Sequence, residues 1–321
     1  RRQTYATGGY GPNERYVFSD GALGQSLEVI SSSFECPCCN WAAFKLAKYL
    51  MIFSGEARYG DWIERLLYNG IGAALQIQKD GRHFYYADYH LGADLKYYSR
   101  SNFTCCSGTY FQNITEFSNL VYFKSNSGLY INLYLPSEIS WTGPNGTIRL
   151  VQSTEYPEAE SVSMQLTMEQ PARFPLNLRV PGWSEGIRIR VNGSSVDAQI
   201  NPGHWATIER DWQSGDKVEV RIPLRFRHAP IDEFHPNRFA LVRGPVVYAQ
   251  EDVHKWISDI PRDEEELNRL MKPLDDENPA VFRITNENPA GQRNAFRPYY
   301  QFGHLARHRM YYDASHRRVL W

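Results

Sequence analysis

The chain has 321 residues, with 35 basic and 36 acidic side chains and 9 histidines, for a formal net charge of −1. That balance leaves no electrostatic footprint for nucleic acid or an anionic membrane surface, and no apolar run approaches the ~18 residues of a membrane span. The length suits two or three domains with a sizeable core. The 21 tyrosines and 8 tryptophans fit β-sandwich cores ahead of sugar stacking.

The opening Arg1-Arg2-Gln3-Thr4 is neither a start, a signal peptide nor a helix cap. It reads as the interior of a longer sequence, so the compartment (cytoplasmic, periplasmic or secreted) is left unassigned. Thr7-Gly8-Gly9-Tyr10-Gly11-Pro12-Asn13-Glu14 is too rich in Gly and Pro for a helix and predicts an ordered loop. Glu14 closes that loop, and loop position alone makes it as often a solvated carboxylate as a functional one. Apolar residues at Trp41, Phe44, Tyr49 and Ile52 predict a helix over 41–53, stopped by Gly55. A second helix is expected over about 57–75, with Trp62, Leu66 and Leu67 on one face and Glu64-Arg65 on a solvated one. Lys79-Asp80-Gly81-Arg82 marks a turn, and His83-Phe84-Tyr85-Tyr86 leads back inward. A third helix is expected over about 109–120.

Near residue 125 the apolar period changes from 3.6 to 2. The stretches 129–135, 187–191, 218–222, 238–242 and 245–248 alternate, separated by Asn145-Gly146, Asn192-Gly193 and Ser214-Gly215-Asp216. Short strands with regular turns predict a β-sandwich. The acidic residues at Asp263–Glu266 and Asp275–Glu277 predict an exposed excursion, and Met310–Asp313 a closing strand.

All five cysteines fall in Glu35-Cys36-Pro37-Cys38-Cys39 and Cys105-Cys106. A disulfide framework spreads its cysteines, so this clustering points to metal or thiol chemistry. Zinc takes thiolates with an occasional carboxylate. Glu35, Cys38, Cys105 and Cys106 form such a set, with Cys36 as a competitor. A carboxylate among the ligands favours a reactive site over a structural one. The alternatives are buried small hydrophobes, or redox thiols at Cys105 and Cys106. The second is weakened because no adjacent basic residue lowers their pKa.

Seven ordered motifs give the chain a resemblance to a family. They are Thr7-Gly8-Gly9-x-Gly11 with Glu14, Glu35-x-Pro37-Cys38, Glu64-Arg65-x-Leu67-Tyr68-Asn69, His83-Phe84-Tyr85-Tyr86, Cys105-Cys106-x-Gly108, Gly128-Leu129-Tyr130-x-Asn132-Leu133-Tyr134, and Arg243-Gly244-Pro245-Val246-Val247-Tyr248. Together they resemble the glycoside hydrolase family 127 β-L-arabinofuranosidases. The resemblance implies an α+β multidomain fold: the C-terminal half of an (α/α)6 barrel over 1–123, then β-sandwiches over 124–229 and 230–321. Several sugar-binding histidines of the family lie in the barrel half that has no counterpart here, so this piece alone is expected to be inactive.

The resemblance further implies a retaining glycosidase with Zn2+ on Glu35, Cys38, Cys105 and Cys106. Cys105 would be the nucleophile, Glu14 the general acid/base, and Glu64 and Tyr86 the sugar contacts, acting on an oligosaccharide or glycoconjugate. Many members read Glu-x-Cys, whereas Cys38 stands three after Glu35, which leaves the choice between Cys36 and Cys38 open. A homodimer is left open as well. The rival readings are a non-catalytic carbohydrate-binding or structural protein with a structural zinc, and a glycosidase for another sugar.

Overall fold

The computed structural model describes residues 4–12, 15–17, 19–28, 34–92, 94–100, 104–125, 128–251, 260–274, 279–285 and 295–315. The chain is a mixed α+β protein whose helices are α1 (Ala22–Ser26), α2 (Pro37–Ser54), α3 (Arg58–Arg65), α4 (Cys105–Glu116) and α5 (Glu264–Leu270). None of the described helices is long and apolar enough to cross a membrane. The chain divides into two compact units. One comprises Arg1–Leu46, Arg65–Thr115 and Arg225–Trp321, the other Ala47–Glu64 and Glu116–Leu224.

The first unit contains both cysteine clusters. A small antiparallel sheet joins Phe34–Glu35, Phe84–Asp88 and Lys96–Tyr98. A larger one orders the strands Phe226–Pro230, Arg238–Arg243, Val246–Gln250, Ala295–Pro298, Phe282–Ile284 and Met271–Pro273, with Tyr311–Asp313 beside Arg238–Arg243. One core holds Tyr5, Leu23, Tyr89, Val247, Tyr299 and Tyr311 together, so the large sheet packs against the N-terminal loop. The Ala6 N–H donates to Tyr311 Oη at 2.8 Å across that core.

Helix α3 ends at Arg65, earlier than the periodicity predicts, and a π-helical turn (Leu66–Ile71) follows. The wider turn lets Asn69 Nδ2 reach both Arg65 O (2.9 Å) and Pro245 O (2.8 Å), while Asn69 Oδ1 accepts from Val247 N–H at 2.7 Å. Asn69 thereby clamps the Arg243–Tyr248 hairpin, which explains physically why those two motifs occur in one chain. The Asp263–Glu266 run, expected to be an excursion, caps and begins α5. Asp263 Oδ1 accepts from the Glu266 N–H at 2.7 Å, and three glutamates occupy the first turn, where the helix dipole favours them. Residues 275–278, which hold the other acidic stretch, lie outside the described residues.

The second unit carries a six-stranded and a four-stranded sheet. Val218 and Val220 are buried at period 2 along Lys217–Arg221, as the alternation predicts. At Asn192-Gly193 both residues are left-handed (φ 51° and 81°) and Val191 lies opposite Ser194, the two-residue hairpin that Asn-Gly encodes. The hub of this unit is Arg179, fully buried. It donates to Asp61 Oδ1 (2.5 Å), Glu64 Oε1 (2.7 Å) and Asn132 O (2.5 Å).

Two stability predictions follow from buried charge. Arg179→Met strands the Glu64 carboxylate without its cation, and the expected loss is about 3–5 kcal/mol, read from urea midpoints. Lys96, also buried, donates to Ala73 O (2.7 Å) and Tyr299 O (2.9 Å) and sits 4.0 Å from the Tyr299 ring centroid. Burial pulls its pKa down from 10.5 to about 7. Between those values the unfolded chain holds the Lys96 proton and the folded chain does not, so this contribution to stability rises with pH and is poorest below pH 7. The pH slope over that window should be smaller in Lys96→Met than in the wild type when urea unfolding is compared at about pH 6 and about pH 9.

Candidate metal centre

Two helix N-termini supply the thiols. Cys36 immediately precedes Pro37, the first residue of α2, and Cys38 and Cys39 lie in its first turn; Cys105 and Cys106 open α4, four residues before the predicted start. Pro suits the first helical position because its missing N–H has no partner there anyway. The N-terminal ends of both helices therefore face sulfur.

The helices are held in register near the thiols. Asn113 Nδ2 donates to Pro37 O at 3.2 Å, and Cys38 Sγ lies 3.3 Å from Thr109 Oγ1. His83 Nε2 pairs with Thr104 Oγ1 at 2.9 Å, fixing the residue just before α4. His83 belongs to a motif the sequence singles out, but its role in positioning α4 is visible only in three dimensions.

Cys36, Cys38 and Cys106 have their sulfur atoms within 4.8 Å of one another. The Cys38–Cys106 separation is 3.4 Å, and none of the five cysteines is in a disulfide. Hydrogen bonding to Cys36 and Cys38, together with burial, pushes the Cys106 thiol far up. Cys36 and Cys106 are buried, Cys38 is half-buried and Cys105 is exposed, 3.9 Å from Cys106 Sγ. Neither Glu35 nor Cys105 belongs to the three-sulfur group.

Glu35 is directed elsewhere. Its Oε2 accepts from Thr7 Oγ1 and from Tyr89 Oη (3.5 Å). Burial raises its pKa to about 7, against the lowering effect of hydrogen bonds from Thr7, Asn40 and Tyr89. Gly9 lies directly over it, and a Cβ at that position would overlap the carboxyl and Asn40 Oδ1. The glycine loop thus lies against this carboxyl because residue 9 has no side chain.

Tyrosines line the cluster. Tyr10, Tyr85 and Tyr86 pack against Cys36, Cys39 and Cys106. Tyr86 stacks on Tyr97 (4.5 Å) and Tyr10 on Tyr16 (4.3 Å). Burial, then the neighbouring thiols and Tyr16, push Tyr10 up to about 12, so it stays protonated at neutral pH. Of the expected sugar contacts, Tyr86 is beside the thiols. Glu64 is buried in the second unit, with its carboxylate engaged by Arg179, Tyr156 Oη (2.9 Å) and Trp183 Nε1 (3.2 Å). Glu14 lies outside the described residues.

A second group, Asp88, His90 and Asp94, has a structural use. Asp94 accepts from the N–H groups of His90 (2.8 Å) and Met310 (3.0 Å), Asp88 from Leu95 N–H (2.7 Å) and Tyr97 Oη (3.0 Å), and His90 Nδ1 from Gly92 N–H (3.1 Å). These bonds build the 88–95 loop.

The sulfur cluster fits a metal. A tetrahedral ion with metal–sulfur bonds of about 2.3 Å sets its sulfurs about 3.8 Å apart, close to the observed spacing. The family model for the GH127 β-L-arabinofuranosidase catalytic domain matches residues 1–119, and that for the GH127 middle domain matches residues 128–224. The chain belongs to glycoside hydrolase family 127.

Among solved structures it is similar to a GH127 β-L-arabinofuranosidase from Geobacillus stearothermophilus T6, with 21% identity and a TM-score of 0.74 over 97% of this chain and 54% of that one. It is also similar to the β-arabinofuranosidase BT3674 (23%, TM-score 0.71, 97% and 54%) and to a structure described as a glycoside hydrolase (21%, 0.72, 97% and 59%). The chain therefore spans a little over half the length of these relatives, and the likeness establishes the fold. No curated protein matches it by sequence.

Exposure orders the thiols by reactivity. In reduced, metal-free protein, a maleimide should label Cys105 first and Cys38 more slowly, with Cys36, Cys39 and Cys106 labelled only on unfolding. Peptide mass spectrometry reads that order. Early labelling of Cys106 would contradict the packing.

Proposed function

We propose that the protein is a retaining glycosidase of the β-L-arabinofuranosidase type, acting on an oligosaccharide or glycoconjugate. The observation that carries this reading is the three-sulfur cluster of Cys36, Cys38 and Cys106, with the exposed Cys105 at its edge and Tyr86 beside it. In fold terms the family supports half of an (α/α)6 barrel over 1–123, followed by β-sandwiches over 124–229 and 230–321.

The ion is Zn2+, which suits thiolate ligands and has no redox chemistry of its own. Cys38 and Cys106 belong both to the ligand set the family implies and to the cluster observed. Cys36 supplies the third sulfur in preference to Glu35, whose carboxyl is occupied by Thr7 and Tyr89. Bound zinc keeps its cysteines ionised at neutral pH, where a free thiol of pKa ~8.5 is mostly protonated.

Cys105, which would be a thiolate as the fourth sulfur beside the metal, attacks the anomeric carbon while Glu14 protonates the departing oxygen, and Glu14 then takes a proton from the water that displaces the sulfur and releases the sugar. Two displacements on one carbon retain its configuration. A carboxyl that first donates and then accepts a proton needs a pKa raised toward neutrality, which burial under substrate provides. Tyr86 presents a ring for the apolar face of a sugar, and its stacking on Tyr97 fixes that ring.

The test is a panel of aryl glycosides, β-L-arabinofuranoside first, with full-length protein and NMR of the initial anomer. The expected result is retention. Cys105→Ala should cost at least ~10³-fold in kcat/KM and Glu14→Gln ~10²–10⁴-fold. Inversion of configuration, or full turnover by Cys105→Ala, would overturn the scheme.

A further inference from the structure

Neither the metal set nor the proposed chemistry uses Cys39. It is buried, and its sulfur lies 3.6 Å from that of Cys36. The two are three residues apart across Pro37, and the Cys39 N–H donates to Cys36 O at 3.0 Å, so a tight turn at the start of α2 holds both sulfurs on one side. Cys36 therefore has two kinds of neighbour, the sulfurs of Cys38 and Cys106 and the sulfur of Cys39.

We propose that Cys36 and Cys39 form a thiol switch on the metal centre, closed by peroxide and opened by a thiol reductant. The consequence for the metal rests on the reading of Cys36 as a ligand; the disulfide itself does not. Of the three thiols at the start of α2, Cys38 is the half-buried one and meets the oxidant first. Its sulfur takes one peroxide oxygen, the O–O bond breaks, and a sulfenic acid and one water result. Cys36 attacks that sulfur, releasing the oxygen as a second water and forming a Cys36–Cys38 bond. Cys39 then attacks Cys36, a Cys36–Cys39 bond replaces it, and Cys38 leaves as a thiol.

The net change is one peroxide and two thiols converted to one disulfide and two waters, with two electrons passing from sulfur to oxygen. Cys36 is then unavailable to a metal, and Cys38 is preserved in its reduced form. A dithiol reverses the change by exchange.

The experiment treats zinc-loaded full-length protein with graded hydrogen peroxide, follows released zinc with a chromogenic chelator, alkylates the remaining thiols and maps tryptic peptides. Cys36, Cys38 and Cys39 fall in peptide 16–45 and Cys105 and Cys106 in peptide 101–124. The expected product is peptide 16–45 lighter by two hydrogens, alkylated only at Cys38, appearing in step with zinc release and reversed by dithiothreitol. In Cys39→Ala that product is absent: oxidation stops at the Cys36–Cys38 bond, and peptide 16–45 carries no alkylated Cys38.

A cross-link between the two peptides as the main product, or wild-type peptide 16–45 alkylated at Cys39 instead of Cys38, would overturn the proposal. A protein that carries no zinc before treatment would refute the metal reading, while the mapping would still decide on the disulfide.

Discussion

Three sulfur atoms confined within 4.8 Å set the terms for the rest of the first unit. As thiols they are weak hydrogen-bonding groups crowded at two helix ends. Hydrogen bonding to Cys36 and Cys38, then burial and the repulsion of those two sulfurs, makes Cys106 resist ionisation. A divalent cation bound there would resolve the conflict, because it would deprotonate its cysteines outright and its binding would add to folding free energy. Asn113 on Pro37, Thr109 beside Cys38 and His83 on Thr104 keep the two helix starts at the spacing this requires.

The support reaches well beyond the cysteine loops. Glu35 connects to Tyr89, and Tyr89 to Tyr299 at 3.4 Å; Tyr299 in turn faces Lys96. Residues beyond 225 in sequence thus line the same core as Tyr5 and Ala6, which lead into the glycine loop, and Phe84 and Ala87, on the strand paired with that of Glu35. That is why the first unit is discontinuous in sequence, and why the Asn69 clamp on the Pro245 hairpin belongs to the architecture of the site. Glu64 serves the other unit, where it and Asp61 neutralise a fully buried arginine.

Much of this was legible in the sequence. The change of period near residue 125, the Asn192-Gly193 hairpin and the closing strand at Tyr311–Asp313 all depend on local patterning and turn chemistry, which a sequence displays directly. The cysteine clusters announced thiol chemistry by their spacing alone. Less legible was anything set by distant partners. Helix α3 stops where Asn69 finds the Pro245 carbonyl, 176 residues away. The acidic run at 263–266 is exposed, as expected, but its role as the start and cap of a helix rests on a side-chain bond that composition does not reveal. The direction of the Glu35 carboxyl was not legible either, because Thr7 and Tyr89, residues on either side of it in sequence, hold it.

The metal content of purified protein, kept reduced throughout, tests the centre most directly. One zinc per chain in the wild type, lost in Cys38→Ser and Cys106→Ser and reduced in Cys36→Ser but not in Glu35→Gln, is the expected pattern. A folded, fully reduced wild type that carries no zinc and takes none up when it is supplied would contradict it.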